Sequence, residues 1–144
     1  MTVLRQLLVS ATLLLAASAE AAPCNASTPE DFAAFFGPFS TDQRFAADRT
    51  TFPLRTVRWT YGADKAGADA SAPTVRSTSK AEFMRWKTIA ALEKQGPLTH
   101  RLKPSSTEDM EVELFKDGSD IEMSYRFTRR EGCWRFVQFE DRSL

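Results

Sequence analysis

Few residues in this chain suit catalysis or metal binding, because its 144 residues include only one histidine and two cysteines. His100 could act as a general base only in a cleft, beside a carboxylate that orients its ring. It follows the breakers Gly96-Pro97, which indicates an exposed loop instead. One histidine and two cysteines favour neither a metal site nor a cofactor. The sequence contains no phosphate-loop, metalloprotease or calcium-loop motif.

The N-terminus has the features of a cleavable export signal. Arg5 precedes an apolar run at residues 7–17, and Ala-x-Ala sites for signal peptidase follow it. The run is shorter than the roughly 20 residues needed to cross a bilayer. We therefore interpret residues 1–21 as a signal peptide and residues 22–144 as a single periplasmic or secreted domain. The alternatives are an uncleaved membrane anchor and a lipoprotein acylated at Cys24.

The cysteines and the net charge limit the kinds of site and partner that the sequence favours. An oxidising compartment makes a Cys24–Cys133 disulfide the expected state. A redox-active pair is the alternative, but no Cys-x-x-Cys motif accompanies either thiol. The formal net charge at pH 7 is zero, with 19 basic and 19 acidic residues. Electrostatics therefore favours neither a nucleic acid nor a membrane surface as the partner, and a small ligand or another protein is left.

Most carboxylates alternate with apolar residues along predicted strands. Glu111, Glu113 and Glu122 would lie on the solvated face of a hairpin, near Arg126 and Lys116. Cross-strand ion pairs on that face explain these carboxylates without catalysis.

Phenylalanines recur through residues 32–52, and Arg49 lies among them. Arg49 is costly to bury among them unless it is paired, and Asp42 and Glu30 are the candidate partners. One interpretation is a structural salt bridge that holds two helices together. In the other, Arg49 is the polar group at the floor of an apolar pocket and binds an acidic ligand.

Three helices are expected to position these residues. Thr28 is the predicted N-cap of the first helix, which Gly37-Pro38 ends. The second covers about residues 41–49. The third covers residues 80–95 and begins with the capping box formed by Ser79 and Glu82. The Phe32, Phe35 and Phe36 side chains give the first helix one apolar face.

The remaining elements are strands and loops. Val57, Trp59 and Tyr61 alternate with polar residues, which predicts a strand with these three on its buried face. Residues 62–74 have almost nothing to bury and are predicted to form a loop. A second loop runs to about residue 106, and three antiparallel strands follow. The last of these, over residues 133–140, carries apolar residues of both parities. That pattern indicates either a bulge or burial on both faces.

Two parts of the sequence resemble an uncharacterised family of secreted bacterial proteins in the nuclear transport factor 2-like superfamily. They are an Asp-x-x-Phe-x-x-x-Arg-x-x-Phe-Pro-Leu stretch and a closing tryptophan strand that ends in Asp-x-Ser. The matching residues are Asp42, Phe45, Arg49, Phe52, Pro53, Leu54, Trp134, Asp141 and Ser143. The resemblance implies an α+β fold with helices packed on a curved antiparallel sheet that forms a cone.

The superfamily spans isomerases, dehydratases, transport adaptors and ligand binders, so the resemblance does not by itself give an activity. The catalytic Asp-His pairs of its enzymes have no counterpart in this sequence. Our leading hypothesis is a non-enzymatic module that binds a small apolar or weakly acidic ligand, or a protein. Its candidate ligand contacts are Arg49, Trp59, Tyr61, Trp86 and Tyr125.

Two other functions are consistent with the sequence. One is an enzyme with a carboxylate base inside the cone, for which Asp42 and Asp141 are the candidates. The other is an inhibitor or immunity-type domain that binds another protein.

Overall fold

The computed structural model describes residues 24–63 and 69–143, with the backbone alone for 61–63 and 69–71. The predicted signal peptide, residues 1–21, lies outside these ranges. The helices are α1 (Phe32–Thr41), α2 (Gln43–Asp48), α3 (Lys80–Phe83) and α4 (Ile89–Gln95), and the strands are β1 (Thr50–Ala63), β2 (Asp69–Thr78), β3 (Thr99–Pro104), β4 (Asp109–Phe115), β5 (Glu122–Arg130) and β6 (Cys133–Asp141). Within the described ranges, no helix is long and apolar enough to span a membrane.

The strands form one curved sheet in the order β2-β1-β6-β5-β4-β3. The predicted α+β class is confirmed, but the sheet is mixed and not wholly antiparallel, because β1 pairs with β6 in parallel. The chain returns from β1 to β6 only after two helices and four strands. A connection of that length permits a parallel pair, which a short hairpin does not.

Helix α1 begins later and ends later than predicted. Its N-cap is Asp31 and not Thr28, since the Asp31 carboxylate accepts a hydrogen bond from the Ala34 amide at 3.0 Å. The helix continues through Pro38, so the predicted stop is wrong. Pro38 cannot donate to the Ala34 carbonyl, but Ala34 is exposed, so water can satisfy that carbonyl. Continuing the helix also buries Phe39, which is 3% exposed.

The predicted helix over residues 80–95 is divided into α3 and α4. The predicted capping box is present: Ser79 Oγ accepts from the Glu82 amide, and the Glu82 carboxylate accepts from the Ser79 amide. A turn follows Phe83, and Thr88 then caps α4 by accepting from the Ala91 amide at 3.3 Å. The interruption creates a separate turn that carries Trp86.

Two edge strands occupy segments that were predicted to be loops. Strand β2 pairs with β1 from Leu54↔Thr78 to Ala63↔Asp69, so the loop predicted over residues 62–74 is wrong. Strand β3 pairs with β4, and all of its residues are exposed. Neither strand has the alternation of apolar and polar residues that marks a half-buried strand. The backbone ladder to an amphipathic neighbour holds each of them in place.

The face of β1 that packs on the core is opposite to the prediction, which placed Val57, Trp59 and Tyr61 on the buried face. Thr56 and Arg58 lie on the concave face of the sheet, so Val57 and Trp59 point to the convex face. There the Trp59 indole N–H donates to the Glu140 carboxylate at 2.7 Å. Val57 is only 4% exposed. The alternating apolar residues of β1 therefore lie on the convex face, where Val57 is buried, and not in the core.

Of the two alternatives predicted for β6, a bulge or burial on both faces, the structure contains the bulge. The register between β5 and β6 shifts after Arg126, and Val137 is the extra residue that has no partner in the ladder. Phe136 and Phe139 consequently lie on the same concave face, although a regular strand would separate residues three apart.

The carboxylates of the convex face are paired, as predicted, although Lys116 is not one of the partners. The pairs are Glu111–Arg126, Glu122–Arg142, Glu113–Arg101 and Glu113–Lys103. Glu113 is 4% exposed. Burial raises the pKa of this carboxyl, but hydrogen bonds from Lys103 and Arg101 outweigh burial and hold the pKa below its ordinary value of 4.5.

Candidate functional site

A cavity of about 520 Å³ opens on the concave face, between the sheet and the turn that joins α3 to α4. This volume falls within the range of small-molecule sites. The residues that line the cavity are Thr56, Arg58, Thr74, Arg76, Trp86, Lys87, Leu92, Met123, Tyr125, Phe139 and Asp141.

The wall of the cavity is built on three aromatic rings. The centroid of Phe139 lies 5.1 Å from that of Trp86 and 5.1 Å from that of Tyr125, and both pairs pack edge to face. Trp86 is held by Phe83, whose ring centroid is 5.2 Å away. The aromatic wall is therefore fixed by packing before any ligand enters.

Tyr125 provides a polar group in this apolar wall. The residue is 5% exposed, and no described residue accepts a hydrogen bond from its hydroxyl. No fully buried side-chain oxygen or nitrogen in the described part of the chain lacks a partner, so this hydroxyl is accessible from the cavity. Burial, and next the negative charge of Asp141, raise the pKa of Tyr125 far above its ordinary value of 10.0. The hydroxyl thus remains a neutral donor.

The rim of the cavity is cationic. Arg58, Arg76 and Lys87 line it together with one carboxylate, Asp141. Asp141 lies 3.1 Å from the Arg58 guanidinium. The arginine side chains are 70% and 61% exposed, respectively. Among the lining residues three cations face one anion, and Glu82 lies 3.9 Å from Arg76, so the opening keeps a positive local potential although the whole chain is neutral.

A second hollow of about 520 Å³ lies at the β4–β5 turn. Its lining is mostly charged. The charges pair with one another, as in Arg101–Glu113 and Arg142–Glu122. It offers no aromatic wall comparable to that of the concave cavity.

Arg49 does not line the concave cavity. It lies in a cluster that we call the disulfide corner, formed by Cys24, Glu30, Arg49, Cys133 and Trp134. The predicted Cys24–Cys133 disulfide is present. Arg49 Nη2 donates to Glu30 Oε1 at 2.6 Å, and Nη1 donates to the Cys24 sulfur at 3.1 Å. Of the two candidate partners of Arg49, Glu30 forms the pair, whereas Asp42 caps α2.

The disulfide corner is closed by further hydrogen bonds. The second oxygen of Glu30 accepts from the Trp134 amide at 3.1 Å, and the Trp134 indole donates to the Glu30 carbonyl at 3.0 Å. Gly132 lies beside this cluster with φ of +79°, and a Cβ there would lie 1.8 Å from the Asn25 carbonyl oxygen. Only glycine allows the N-terminal segment to pack against this turn.

The structure thus separates the five candidate ligand contacts. Trp86 and Tyr125 lie in one cavity. Arg49 lies in the disulfide corner, and Trp59 lies on the convex face. The side chain of Tyr61 lies outside the described atoms.

The two candidate bases are separated as well. The Asp42 carboxylate caps α2 by accepting from the Arg44 amide at 2.8 Å, whereas Asp141 lines the cavity. Sequence reasoning missed Arg58 and Phe139 as cavity residues. The alternation along β1 suggested the wrong face for Arg58, and the bulge reverses the parity of Phe139.

His100 is exposed but lies in β3 and not in a loop. Its Nδ1 lies 2.5 Å from a Glu93 carboxylate oxygen, so the orienting carboxylate that a general base needs is present. The pair lies outside the concave cavity. Among the described residues, no group of three or more histidine, cysteine or acidic side chains is arranged to hold a metal ion.

Comparison with solved structures identifies the fold. A nuclear transport factor 2-like protein from Bacteroides fragilis matches with a TM-score of 0.57 and 21% identity over 81% of this chain. The chain spans only about half of that protein, since the match covers 48% of it. A nuclear transport factor 2-like protein of unknown function from Silicibacter pomeroyi covers 75% of this chain, at 14% identity and a TM-score of 0.37. A de novo designed protein with a curved β-sheet has a TM-score of 0.42, with 15% identity over 75% of the chain.

The chain therefore has the nuclear transport factor 2-like fold that the sequence resemblance implied. No family model matches the sequence, and a comparison with curated proteins finds no match. Function must consequently be argued from the site itself.

Proposed function

We propose that this chain is an exported, non-enzymatic binding module whose concave cavity holds a small apolar or weakly acidic ligand. The observation that carries the proposal is the Tyr125 hydroxyl, which is accessible from the cavity and bonds to no described residue, in a wall of packed aromatic rings. Folded proteins pair nearly all of their buried polar groups. A hydroxyl that faces an apolar cavity without a protein partner is suited to a partner that arrives with a ligand.

Export is part of the proposal. A basic residue, an apolar run at residues 7–17 and two Ala-x-Ala sites are features of a signal peptide. A disulfide that closes over a sequence separation of 109 residues is in keeping with an oxidising compartment. Mass spectrometry of the protein recovered from the periplasm or medium tests this part: a mature N-terminus near residue 22 is expected, and an intact Met1 would contradict it.

The binding site is tested with N-phenyl-1-naphthylamine, a neutral fluorescent probe. We expect saturable binding at one site. Trp86→Ala should weaken it about tenfold, because the aromatic wall loses one of its rings. Trp59→Ala is the matched control, since Trp59 is on the convex face and hydrogen-bonds to Glu140. Equal losses in both variants, or no binding by the wild type, would count against the proposed site.

A proton-transfer enzyme is the second candidate, because Asp141 shares the cavity with Tyr125. A carboxylate could accept a proton there while the tyrosine hydroxyl donates to the resulting oxyanion. Deuterium exchange at the α-carbons of 2-tetralone, followed by NMR, distinguishes the two functions. Exchange at the buffer rate favours a binder, and exchange that is accelerated and then lost in Asp141→Asn favours the enzyme.

A further inference from the structure

We infer that the cavity selects an amphipathic carboxylate and binds it in one orientation, with the carboxylate between Arg58 and Arg76 at the rim and the apolar body against Trp86 and Phe139. This inference rests on the proposed function, since it assigns a ligand class to the same cavity. It transfers the anion-binding role that the sequence suggested for Arg49 to two arginines on neighbouring strands.

The pairing of β1 with β2 places the two arginines suitably. Arg58 is opposite Thr74, and Thr56 is opposite Arg76, so the arginines are diagonal neighbours on the concave face. Diagonal neighbours in an antiparallel pair are roughly 7–8 Å apart at the backbone. The two oxygens of one carboxylate can accept from two guanidinium groups that converge from such positions.

The charges at the rim leave room for one more anion. Asp141 neutralises one arginine, and it lies 3.1 Å from Arg58. The carboxylate paired with Arg76 is Glu82, at the long distance of 3.9 Å. Lys87 donates to the neutral Gln95 at 2.6 Å, and no described carboxylate pairs with it. An incoming carboxylate would supply the missing counter-charge.

Asp141 fixes the direction in which the ligand enters. It is close enough to Tyr125 for its negative charge to disfavour ionisation of that hydroxyl. The same charge disfavours a second anion beside Tyr125, whereas at the rim Arg58, Arg76 and Lys87 offset it and leave that end of the cavity as the place for a carboxylate. Because Tyr125 remains a donor, the ligand group that meets it is a neutral acceptor such as a carbonyl, an ether or a hydroxyl oxygen.

The cationic rim, the aromatic wall and the Tyr125 hydroxyl together define the class of ligand. It has a carboxylate, an apolar body that is aromatic or aliphatic, and a neutral oxygen carried on that body. Oxo and hydroxy derivatives of fatty or aryl acids meet this description, whereas a purely apolar hydrocarbon does not.

The test compares 1-naphthaleneacetic acid with 1-naphthaleneacetamide, which share the apolar body and differ in the head group, an anionic carboxylate in one and a neutral amide in the other. Isothermal titration at pH 7.5 and low ionic strength should show the acid binding about tenfold more tightly, the factor expected for a charged hydrogen bond at a partly exposed site. The double substitution Arg58→Gln/Arg76→Gln should remove this preference and leave the affinity for the amide unchanged.

The matched control is Arg55→Gln/Arg126→Gln, which removes the same charge from the convex face, where these side chains contact Gln138 and Glu111. It should retain the preference for the acid. Equal affinity for acid and amide in the wild type would overturn the inference and leave the proposed binding site standing. Loss of the preference in both double variants would also overturn it. If neither compound nor the neutral naphthylamine binds, the proposed function fails together with the inference.

Discussion

The disulfide corner and the concave cavity both place charged groups beside aromatic rings, but their polar atoms differ in how far they are satisfied. In the corner, Glu30 uses both carboxylate oxygens, and Arg49 reaches both Glu30 and a disulfide sulfur. In the cavity, the Tyr125 hydroxyl has no partner among the described residues. A partly buried charge packed beside aromatic rings is thus a poor indicator of a binding site. Unused hydrogen-bonding capacity is a better one.

The largest expected effect is in the corner. The double variant Cys24→Ser/Cys133→Ser removes a cross-link with a sequence separation of 109 residues. It should lower the free energy of unfolding by about 4–5 kcal/mol by the chain-entropy argument. Urea denaturation measures the loss, and the reduced wild type provides the control. A loss below about 1 kcal/mol would mean that the corner is held mainly by its hydrogen bonds.

The second-largest effect should appear in the stability of the disulfide corner and not in ligand binding at the concave cavity. Arg49→Met leaves the partly buried Glu30, whose side chain is 13% exposed, without its cation and should cost about 1.5–3 kcal/mol of stability. The affinity of the folded variant for N-phenyl-1-naphthylamine should not change, because Arg49 does not line the cavity. A stable Arg49→Met variant that has lost the probe would restore the pocket interpretation and reverse the comparison.

A smaller effect tests the ion pairs of Glu113, a buried carboxylate of the convex face whose partners Arg101 and Lys103 are exposed. The pKa of Glu113 is lower in the folded protein than its ordinary value of 4.5. Its ionised form therefore stabilises the fold above that pH, and the contribution is lost as pH falls through the lowered pKa. Glu113→Gln should cost about 0.5–1 kcal/mol at pH 7.

The difference between the wild type and Glu113→Gln should shrink as pH falls through the lowered pKa, because the Glu113 carboxylate then takes up a proton and becomes neutral like the glutamine. Urea denaturation at pH 7 and pH 3 measures this change. A constant difference at both pH values would show that packing, and not charge, is responsible.

The smallest expected effect is in the cavity. Tyr125→Phe removes a hydroxyl that bonds to no described residue, so the free energy of unfolding should change by less than about 0.5 kcal/mol. Binding of a naphthaleneacetic acid that carries a methoxy group on its ring should weaken, because the ether oxygen loses a donor. Thermal denaturation and titration of the same samples check both parts. A large loss of stability would show that the Tyr125 hydroxyl has a structural role, as the residues of the disulfide corner do, and is not free to bind a ligand.

The sequence predicted the features that depend on local chemistry. The disulfide needs only an oxidising compartment and two cysteines, and the capping box at Ser79 needs only its own backbone amides. The bulge was visible because apolar residues of both parities occur in one strand. Each of these predictions rests on neighbours in sequence or on composition.

The parts that could not be predicted depend on partners far along the chain. Strands β2 and β3 are polar and exist because β1 and β4 offer them a ladder. The face of β1 was misread because Val57 and Trp59 are covered on the convex side. The sequence therefore did not indicate the cationic rim, because Arg58 and Arg76 become neighbours only when β2 pairs with β1.

Val137 gives a means of changing the shape of the cavity without changing its chemistry. Deleting this one residue would turn β6 into a regular strand in which Phe136, Phe139 and Asp141 still point to the concave side, because two-residue alternation would then resume without the insertion. The extra twist that a bulge contributes would be lost. The same side chains would line a flatter wall, so the deletion isolates curvature as a variable in ligand selection.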